Sequence, residues 1–368
     1  MDNCIMQVVG NRPQFIKLAS VSREIRTRGY KEIIIHSGQH FDENMSDIFF
    51  RELDIPQPDR NLHISGGSHA EMTARIMIAI EKVILEYIPQ IVIVYGDTNT
   101  TLAVALVVKK LNIPLVHIEA GPRTGNMNNP EEVNRVIIDH ISDLLCTPDK
   151  SSFQNLIREG LEENAFFTGD VMYDIFVQSM KSIGQKEILK KYSVEKDKYI
   201  LMTWHRQENT ADRDTIQQII ELVELIDETI VCPLHPRTRN ALRQFGLWNR
   251  INAVRNLHIV EPVGYLEMIT LVSNCRMTLT DSGGLSKESF FAGVKCLFMA
   301  NLHVWPELEE SGWIYHMSKK NSFNIDFIHK AFKNNKVDSM QPNFYGDGNA
   351  AEIIVNEIEK RFNLKGCR

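Results

Sequence analysis

Asp97, Glu119 and Glu131, with Arg123 and Arg135, fall within one short stretch of this chain. Asp97 follows the apolar run 91–95 in Gly96-Asp97-Thr98, and Glu119 follows the run 115–118 in Glu119-Ala120-Gly121. Pro130-Glu131-Glu132 then opens a helix that carries Arg135. Carboxylates clustered in a cleft raise one another's pKa and become candidates for proton transfer. The set therefore points to an enzyme whose proton chemistry these acids perform. Each acid also has an ordinary alternative. Asp97 precedes Thr98-Asn99-Thr100-Thr101 and can serve the helix that begins there as a cap, and Glu131 and Glu132 suit the first turn of a helix. Glu119, between an apolar strand and Ala-Gly, is harder to place on a solvated surface.

A second group of residues suits an anion. Gly10-Asn11-Arg12-Pro13-Gln14 is a turn between a strand at 5–9 and an amphipathic helix at 15–26, with Arg12 and Lys17 adding positive charge where helix N–H groups meet a phosphate. The turn is not GxGxxG, so no dinucleotide site is indicated. His205-Arg206 and His235-Pro236-Arg237 each follow an apolar strand as polar loops, and together they favour anion binding. In Thr280-Asp281-Ser282-Gly283-Gly284 a strand passes into a helix through paired glycines. These let a phosphate approach the helix N-terminus, where Ser282 and the N–H groups hold its oxygens. Glu288, further along, suits a ribose. The alternative is a glycine turn that only permits tight helix–strand packing.

The elements that must position these residues alternate. Strands are expected at 5–9, 32–35, 91–95, 115–118, 144–147 and 165–167, with helices between them, notably at 45–53, 70–87, 150–158 and 170–182. The pattern restarts with strands at 199–203, 229–232, 257–260, 276–280 and 295–299 and a helix at 213–226. Such alternation argues an α/β chain with parallel, doubly wound sheets, whose strands end at one ligand-binding edge. His36-Ser37-Gly38-Gln39-His40 is a polar loop at that edge. Residues 183–198, rich in lysine and glutamate, read as a polar surface connection, which places a domain change near 170–195. A helix is expected at 322–332, and a last amphipathic one at 350–362 must bury Ile353, Ile354, Ile358 and Phe362 in a groove.

Composition narrows the class. With 368 residues, 43% hydrophobic and 24% charged, the chain is long enough for two globular domains. A net charge of −6 gives no support for a nucleic-acid or anionic-membrane partner. No run reaches the length of a membrane span, and the start MDNCIMQVVG lacks a signal peptide's features. The six cysteines show no metal spacing and read as buried thiols in a reducing cytoplasm.

In order along the whole chain, these motifs resemble the non-hydrolysing UDP-N-acetylglucosamine 2-epimerase family. They are Gly10-Asn11-Arg12-Pro13-Gln14-Phe15-Ile16-Lys17, Gln39-His40, Gly96-Asp97-Thr98-Asn99, His117-Ile118-Glu119-Ala120-Gly121-Pro122-Arg123-Thr124, Pro130-Glu131-Glu132-Val133-Asn134-Arg135, His205-Arg206-Gln207-Glu208-Asn209, Asp281-Ser282-Gly283-Gly284 and Tyr345-Gly346-Asp347-Gly348. The resemblance implies a glycosyltransferase-B-like architecture: a Rossmann-like domain over 1–170 with the acids, a UDP-binding one over 171–345, facing across a cleft, and a tail at 346–368 crossing back to the first. It implies inversion at C2 of a UDP-linked 2-acetamido sugar by elimination of UDP to a 2-acetamidoglucal and re-addition. No cofactor and no metal are implied. The expected partners are the UDP-sugar and, in a cytoplasmic homodimer serving cell-surface polysaccharide synthesis, a second copy.

By motif, Asp97, Glu119 and Glu131 match catalytic acids, and His205 joins the catalytic set. Arg12, Ser282, Gly283, Gly284 and Glu288 match nucleotide-binding positions, with Lys17, Arg135 and His235 in support. Departures exist: Asn11 and Gln14 stand where Thr and Glu are commonest, and Asp42 stands where some members hold a regulatory second UDP-sugar with glutamine. Gly169-Asp170-Val171-Met172-Tyr173-Asp174 and Pro233-Leu234-His235-Pro236-Arg237-Thr238 lean towards the branch acting on UDP-2,3-diacetamido-glucuronic acid. A glycosyltransferase or a UDP-sugar sensor on the same fold are the rival readings.

Overall fold

The computed structural model describes residues 4–39, 50–300, 305–317 and 341–364. His40, Asp42, most of the helix expected at 45–53 and the whole of that at 322–332 lie outside the described residues. Two compact units emerge, one of residues 1–178 with 343–368, the other of residues 179–342. The divide falls inside a helix, Val171–Ser182.

The first unit holds a seven-stranded sheet in the order β3-β2-β1-β4-β5-β6-β7. Its strands are β1 (Cys4–Val9), β2 (Lys31–His36), β3 (Arg60–Asn61), β4 (Ile91–Tyr95), β5 (Leu115–Ile118), β6 (Leu144–Thr147) and β7 (Ala165–Phe167), all parallel. Helices α1 (Arg12–Thr27), α2 (His69–Tyr87), α3 (Asn99–Lys110), α4 (Pro130–Ile141), α5 (Lys150–Arg158) and α6 (Val171–Ser182) connect them. Strands buried on both faces read as unbroken apolar runs, and β4 (IVIVY) is buried at every position.

The second unit holds six parallel strands in the order β10-β9-β8-β11-β12-β13. These are β8 (Tyr199–Thr203), β9 (Thr229–Pro233), β10 (Leu257–Val260), β11 (Met277–Thr280), β12 (Cys296–Phe298) and β13 (Ile314–His316). Its helices are α7 (Gln185–Lys191), α8 (Arg213–Leu225), α9 (Pro236–Gln244), α10 (Trp248–Asn252), α11 (Tyr265–Asn274), α12 (Gly283–Phe291) and α13 (Pro306–Glu310). The lysine-rich segment 183–198 is thus not a bare connection: Gln185–Lys191 is helical, and Tyr192 Oη donates to Glu267 of α11 at 3.1 Å.

Both sheets reverse strand order next to their first strand, at β1/β4 and at β8/β11. In an open parallel sheet that reversal is where the loops part and ligands bind. The last helix, α14 (Ala350–Phe362), returns to the first unit and packs on α1. Arg28 and Tyr30 bond Glu359 at 2.8 Å each. Asp174 of α6 accepts from the N–H groups of Ala350 and Ala351 at 3.0 and 2.8 Å, capping α14. Among the described residues the cysteines are buried free thiols, and no helix is long and apolar enough to cross a membrane.

Candidate active site

In the first unit the β1/β4 reversal collects most of the expected charges. Asn11 caps α1, so Arg12 is the first helical residue rather than part of the turn, and Pro13 takes an early position that needs no N–H. Lys17, one turn further and buried, forms an ion pair with Glu119 after β5. Asp97 Oδ2 pairs with the Arg135 guanidinium of α4 at 2.6 Å, and Asn134 Nδ2 donates to the Asp97 carbonyl at 2.8 Å. Asp97 is not a cap: the Thr98 hydroxyl caps α3 by accepting from Thr101 N–H. The sugar-side reading of Asp97 thereby loses its simplest competitor.

Glu119 adopts φ +67°, a left-handed conformation rare for a residue with a side chain and often found at functional sites. It is pinned from both sides, by Gly96 N–H to the Ile118 carbonyl and Ala120 N–H to the Cys146 carbonyl, 3.0 Å each. Gly96 also has positive φ, +59°. A Cβ there would sit 3.1 Å from a Glu119 carboxylate oxygen and 3.5 Å from Lys17 Nζ. The Lys17–Glu119 pair therefore lies against the backbone that carries Asp97.

Beneath it, His117 Nε2 donates to the Gly96 carbonyl at 2.8 Å and Nδ1 faces Asp139 at 2.6 Å. Asp139 also accepts from Gly121 N–H at 3.1 Å and from Arg123 at 2.8 Å. Burial pushes the Asp139 carboxyl up, but His117 and Arg123 outweigh it and hold it below the usual range. Both ring nitrogens of His117 are thus held, one against the Gly96 carbonyl and one against Asp139. Arg123 is spent in this scaffold, with a two-point pair to Glu159 at 2.7 and 2.8 Å.

The two acids of α4 part company. Glu132 is buried and accepts from the N–H groups of Thr124 and Gly125 at 2.9 and 2.8 Å and from Arg135 at 2.9 Å. Burial raises its carboxyl, and these donors pull it below its ordinary value overall. Glu131 is exposed in the first turn, behind the Asn129 cap, and among the described residues no hydrogen bond or ion pair joins it to Asp97 or Glu119. The structure thus gathers Lys17, Asp97, Glu119 and Arg135, and leaves Glu131 apart.

In the second unit the β8/β11 reversal is organised by Asp281. Its buried carboxylate accepts from His205 N–H at 3.0 Å, Arg206 N–H at 2.8 Å and Asn209 Nδ2 at 3.1 Å, and lies 3.3 Å from His205 Nδ1. His205 and His235 stand with ring centroids 5.4 Å apart. The loop expected after β9 is a helix start: His235 Nδ1 caps α9 by accepting from Arg237 N–H at 3.1 Å. Ser282 caps α12 by accepting from Leu285 N–H at 3.3 Å. Among the described residues, the nearest atoms that a Cβ on Gly283 or Gly284 would meet beyond its own helix backbone and chain neighbours are Trp305 Nε1 at 4.0 Å and Ser282 Oγ at 3.9 Å, respectively. Neither has positive φ. Tight packing therefore does not explain this glycine pair, and an open helix N-terminus with room for an anion does. Lys287, buried, holds its ammonium 3.5 Å over the Trp305 ring, and Glu288 is buried beside it.

The organising residues Asp281, Asp139, His117 and Gln14 were not among the expected site residues. Asp281, His117 and Gln14 stand inside the motifs quoted above and Asp139 in none; Asp281, directly after a strand, has the one position that hints at a role.

The comparisons with known proteins agree on one family. The model of the UDP-N-acetylglucosamine 2-epimerase family matches residues 23–359. The chain belongs to that family. A Methanococcus maripaludis protein named UDP-N-acetylglucosamine 2-epimerase homolog is 44% identical over 356 residues, covering 96% of this chain and 99% of that protein. The UDP-2,3-diacetamido-2,3-dideoxy-D-glucuronate 2-epimerase of Pseudomonas aeruginosa is 41% identical, with 97% and 99% covered. Among solved structures, the Methanocaldococcus jannaschii UDP-GlcNAc 2-epimerase in complex with UDP-GlcNAc and UDP superposes with a TM-score of 0.87 at 36% identity, covering 97% of this chain and 99% of that one. Membership fixes the reaction class as epimerisation and the architecture as glycosyltransferase-B-like.

Proposed function

We propose that this epimerase inverts C2 of a UDP-linked 2-acetamido sugar, of the UDP-GlcNAc to UDP-ManNAc type. The observation that carries the reading is the pair of carboxylates at the β1/β4 reversal, each with its own cation: Asp97 with Arg135, Glu119 with Lys17. A base takes the C2 proton while the C1–O bond to UDP breaks, and the electron pair forms the C1=C2 bond of a 2-acetamidoglucal. A proton returned to the opposite face of C2 and re-addition of UDP at C1 complete the inversion. Two carboxylates in different surroundings suit two proton transfers on two faces. Donors at Ser282–Gly284, His205 and His235 stabilise the diphosphate as it leaves. Glu131, exposed and unpaired with the other acids, belongs to the site by motif alone.

The Pseudomonas relative and the motifs at 169–174 and 233–238 favour a second reading, the same inversion on UDP-2,3-diacetamido-glucuronic acid. Incubation of each UDP-sugar with the protein in D2O, followed by NMR, decides. Deuterium at C2 with appearance of the 2-epimer is the expected result, and the faster of the two sugars names the substrate. Acceptor-dependent loss of sugar without exchange would remove the epimerase reading. We place the protein in the cytoplasm as a homodimer; exposed Ile78, Leu85 and Ile88 along one side of α2 and its cap support a partner copy. Light scattering on the wild type and Leu85→Glu measures it.

A further inference from the structure

At a strand-order reversal the chain leaves neighbouring strands in opposite directions, and the gap between the two turns needs its own brace. At β1/β4 that brace is Gln14. It is 2% exposed. Its Oε1 accepts from Gly10 N–H at 2.7 Å. Its Nε2 donates to the Tyr95 carbonyl at 2.6 Å and lies 3.0 Å from Thr101 Oγ1 and 3.2 Å from Thr98 Oγ1. The amide's orientation is decided by its neighbours, since an N–H only donates and a carbonyl only accepts. The Thr101 hydroxyl donates to the same Tyr95 carbonyl at 2.7 Å, so its proton is already committed. Gly10 begins the turn that leads to Arg12, and Tyr95 begins the turn that leads to Asp97. Packing gives neither turn room to drift: a Cβ on Gly10 would collide with the Ser37 and Thr100 hydroxyls.

We propose that Gln14 is the positioning residue that fixes the Arg12 turn against the Asp97 turn, and that it works because an amide offers both an acceptor and a permanent donor. The inference rests on the assignment of Asp97 to the reaction. Glutamate, the commonest residue at this position in the family the motifs resemble, keeps the acceptor for Gly10, but in these surroundings its ionised form sets an oxygen against the Tyr95 carbonyl. Only its protonated form restores the donor.

The consequence is one-sided. Gln14→Glu disturbs the Asp97 turn and spares the Arg12 turn, so turnover suffers while UDP binding holds. Its turnover falls roughly 10-fold or more below wild type at pH 8.5 and comes within about 3-fold at pH 6, with the dissociation constant for UDP unchanged within about 3-fold. The titratable and charged groups on the elements meeting here are Arg12 and Lys17 of α1, His36 of β2, Asp97 and Glu119. Wild type carries all of them, so their titrations cancel in the ratio of the two profiles. Gln14→Met, neutral and without an amide, loses turnover at every pH and adds no pH limb, and it tests the same idea if Gln14→Glu does not fold at high pH.

Turnover is read as C2 deuterium exchange, UDP binding by calorimetry and folding by thermal melt. A Gln14→Glu to wild-type ratio that stays flat from pH 6 to 8.5, a variant that loses UDP rather than turnover, or wild-type turnover in Gln14→Met overturns the proposal. Asp97→Asn run in parallel separates the two failures. If it turns over normally, the assignment of Asp97 is at fault. If it is inactive while the Gln14 ratio is flat, only the role of Gln14 is.

Discussion

The two strand-order reversals are built to opposite plans. At β1/β4 nearly everything polar is already partnered within the protein. Lys17 is paired with Glu119, Arg135 with Asp97 and Glu132, Gln14 with both turns, and His117 with Gly96 and Asp139. Glycines there are demanded by the fold, since Cβ atoms on Gly10 and Gly121 would strike Ser37 and the Ser152 carbonyl oxygen. At β8/β11 the internal bonds stop one layer short of the edge. Asp281 holds the backbone of His205 and Arg206, and beyond it Gly283 and Gly284 leave space that no side chain among the described residues fills. A preorganised charge cluster is what proton transfer needs, because groups that need not reorganise stabilise a transition state most effectively. An open helix end is what a diphosphate needs.

The sharpest way to break this comparison is to neutralise the first site without touching the second. Asp97→Asn and Glu119→Gln keep shape and lose the base. Each is expected to cut C2 exchange roughly 10²- to 10⁴-fold, the range general acid–base catalysis supplies, with UDP binding unchanged. Glu131→Gln, on the exposed first turn of α4, measures whether that motif match carries any chemistry. Normal exchange in Asp97→Asn would move the proton chemistry elsewhere.

Glycine substitution tests the difference in building plan. Gly284→Ala places a methyl in free space within a helix, where alanine is favoured by up to about 1 kcal/mol. The protein should therefore melt no lower than wild type while UDP affinity drops roughly 10-fold or more. Gly10→Ala should do the reverse, losing about 1–3 kcal/mol of stability by overpacking against two hydroxyls. A Gly284→Ala variant that melts low, or one that keeps full UDP affinity, would mean the pair serves packing after all.

What the sequence made legible follows the same division. Strands 115–118, 144–147, 199–203 and 257–260 matched their observed bounds because a parallel strand is an unbroken apolar run between punctuating residues. Helix α9 was missed because PRTRNALRQ buries little beyond Thr238, Ala241 and Leu242, too narrow a stripe to read. The edge strand β13 is only three residues, and α7 buries no residue. At the site, strand-end position alone marked the acids. Their partners could not be read, since Lys17 and Glu119 lie 102 residues apart and register between distant strands decides that contact. Asp281 and Gln14 act on backbone N–H and carbonyl groups, which leave no trace in residue type.

The smallest expected effect concerns what each sheet carries beneath its reversal. Strands β8, β9 and β11 hold no carboxylate, whereas β2 brings Glu32 under the first site. Glu32 accepts from Gln7 Nε2 and from the Ser22 hydroxyl at 2.9 Å, and the Tyr95 hydroxyl donates to Gln7 in turn. Burial is the chief cause that pushes its carboxyl up to about 7, with Ser22, Gln7 and Arg26 opposing. A folded pKa above the unfolded one means stability that is complete below about 4.3, the ordinary glutamate range, and is lost as pH rises through about 7. The charge then costs on the order of 3 kcal/mol at pH 8, by the conversion of about 1.4 kcal/mol per pKa unit. Glu32→Gln keeps the acceptor for Ser22 and never ionises. It should melt several degrees above wild type at pH 8 and converge with it near pH 4.5, with C2 exchange little changed. A constant offset at all pH values would mean that the gain comes from packing rather than from the buried charge, and the first reversal would then rest on a sheet as electrostatically quiet as the second.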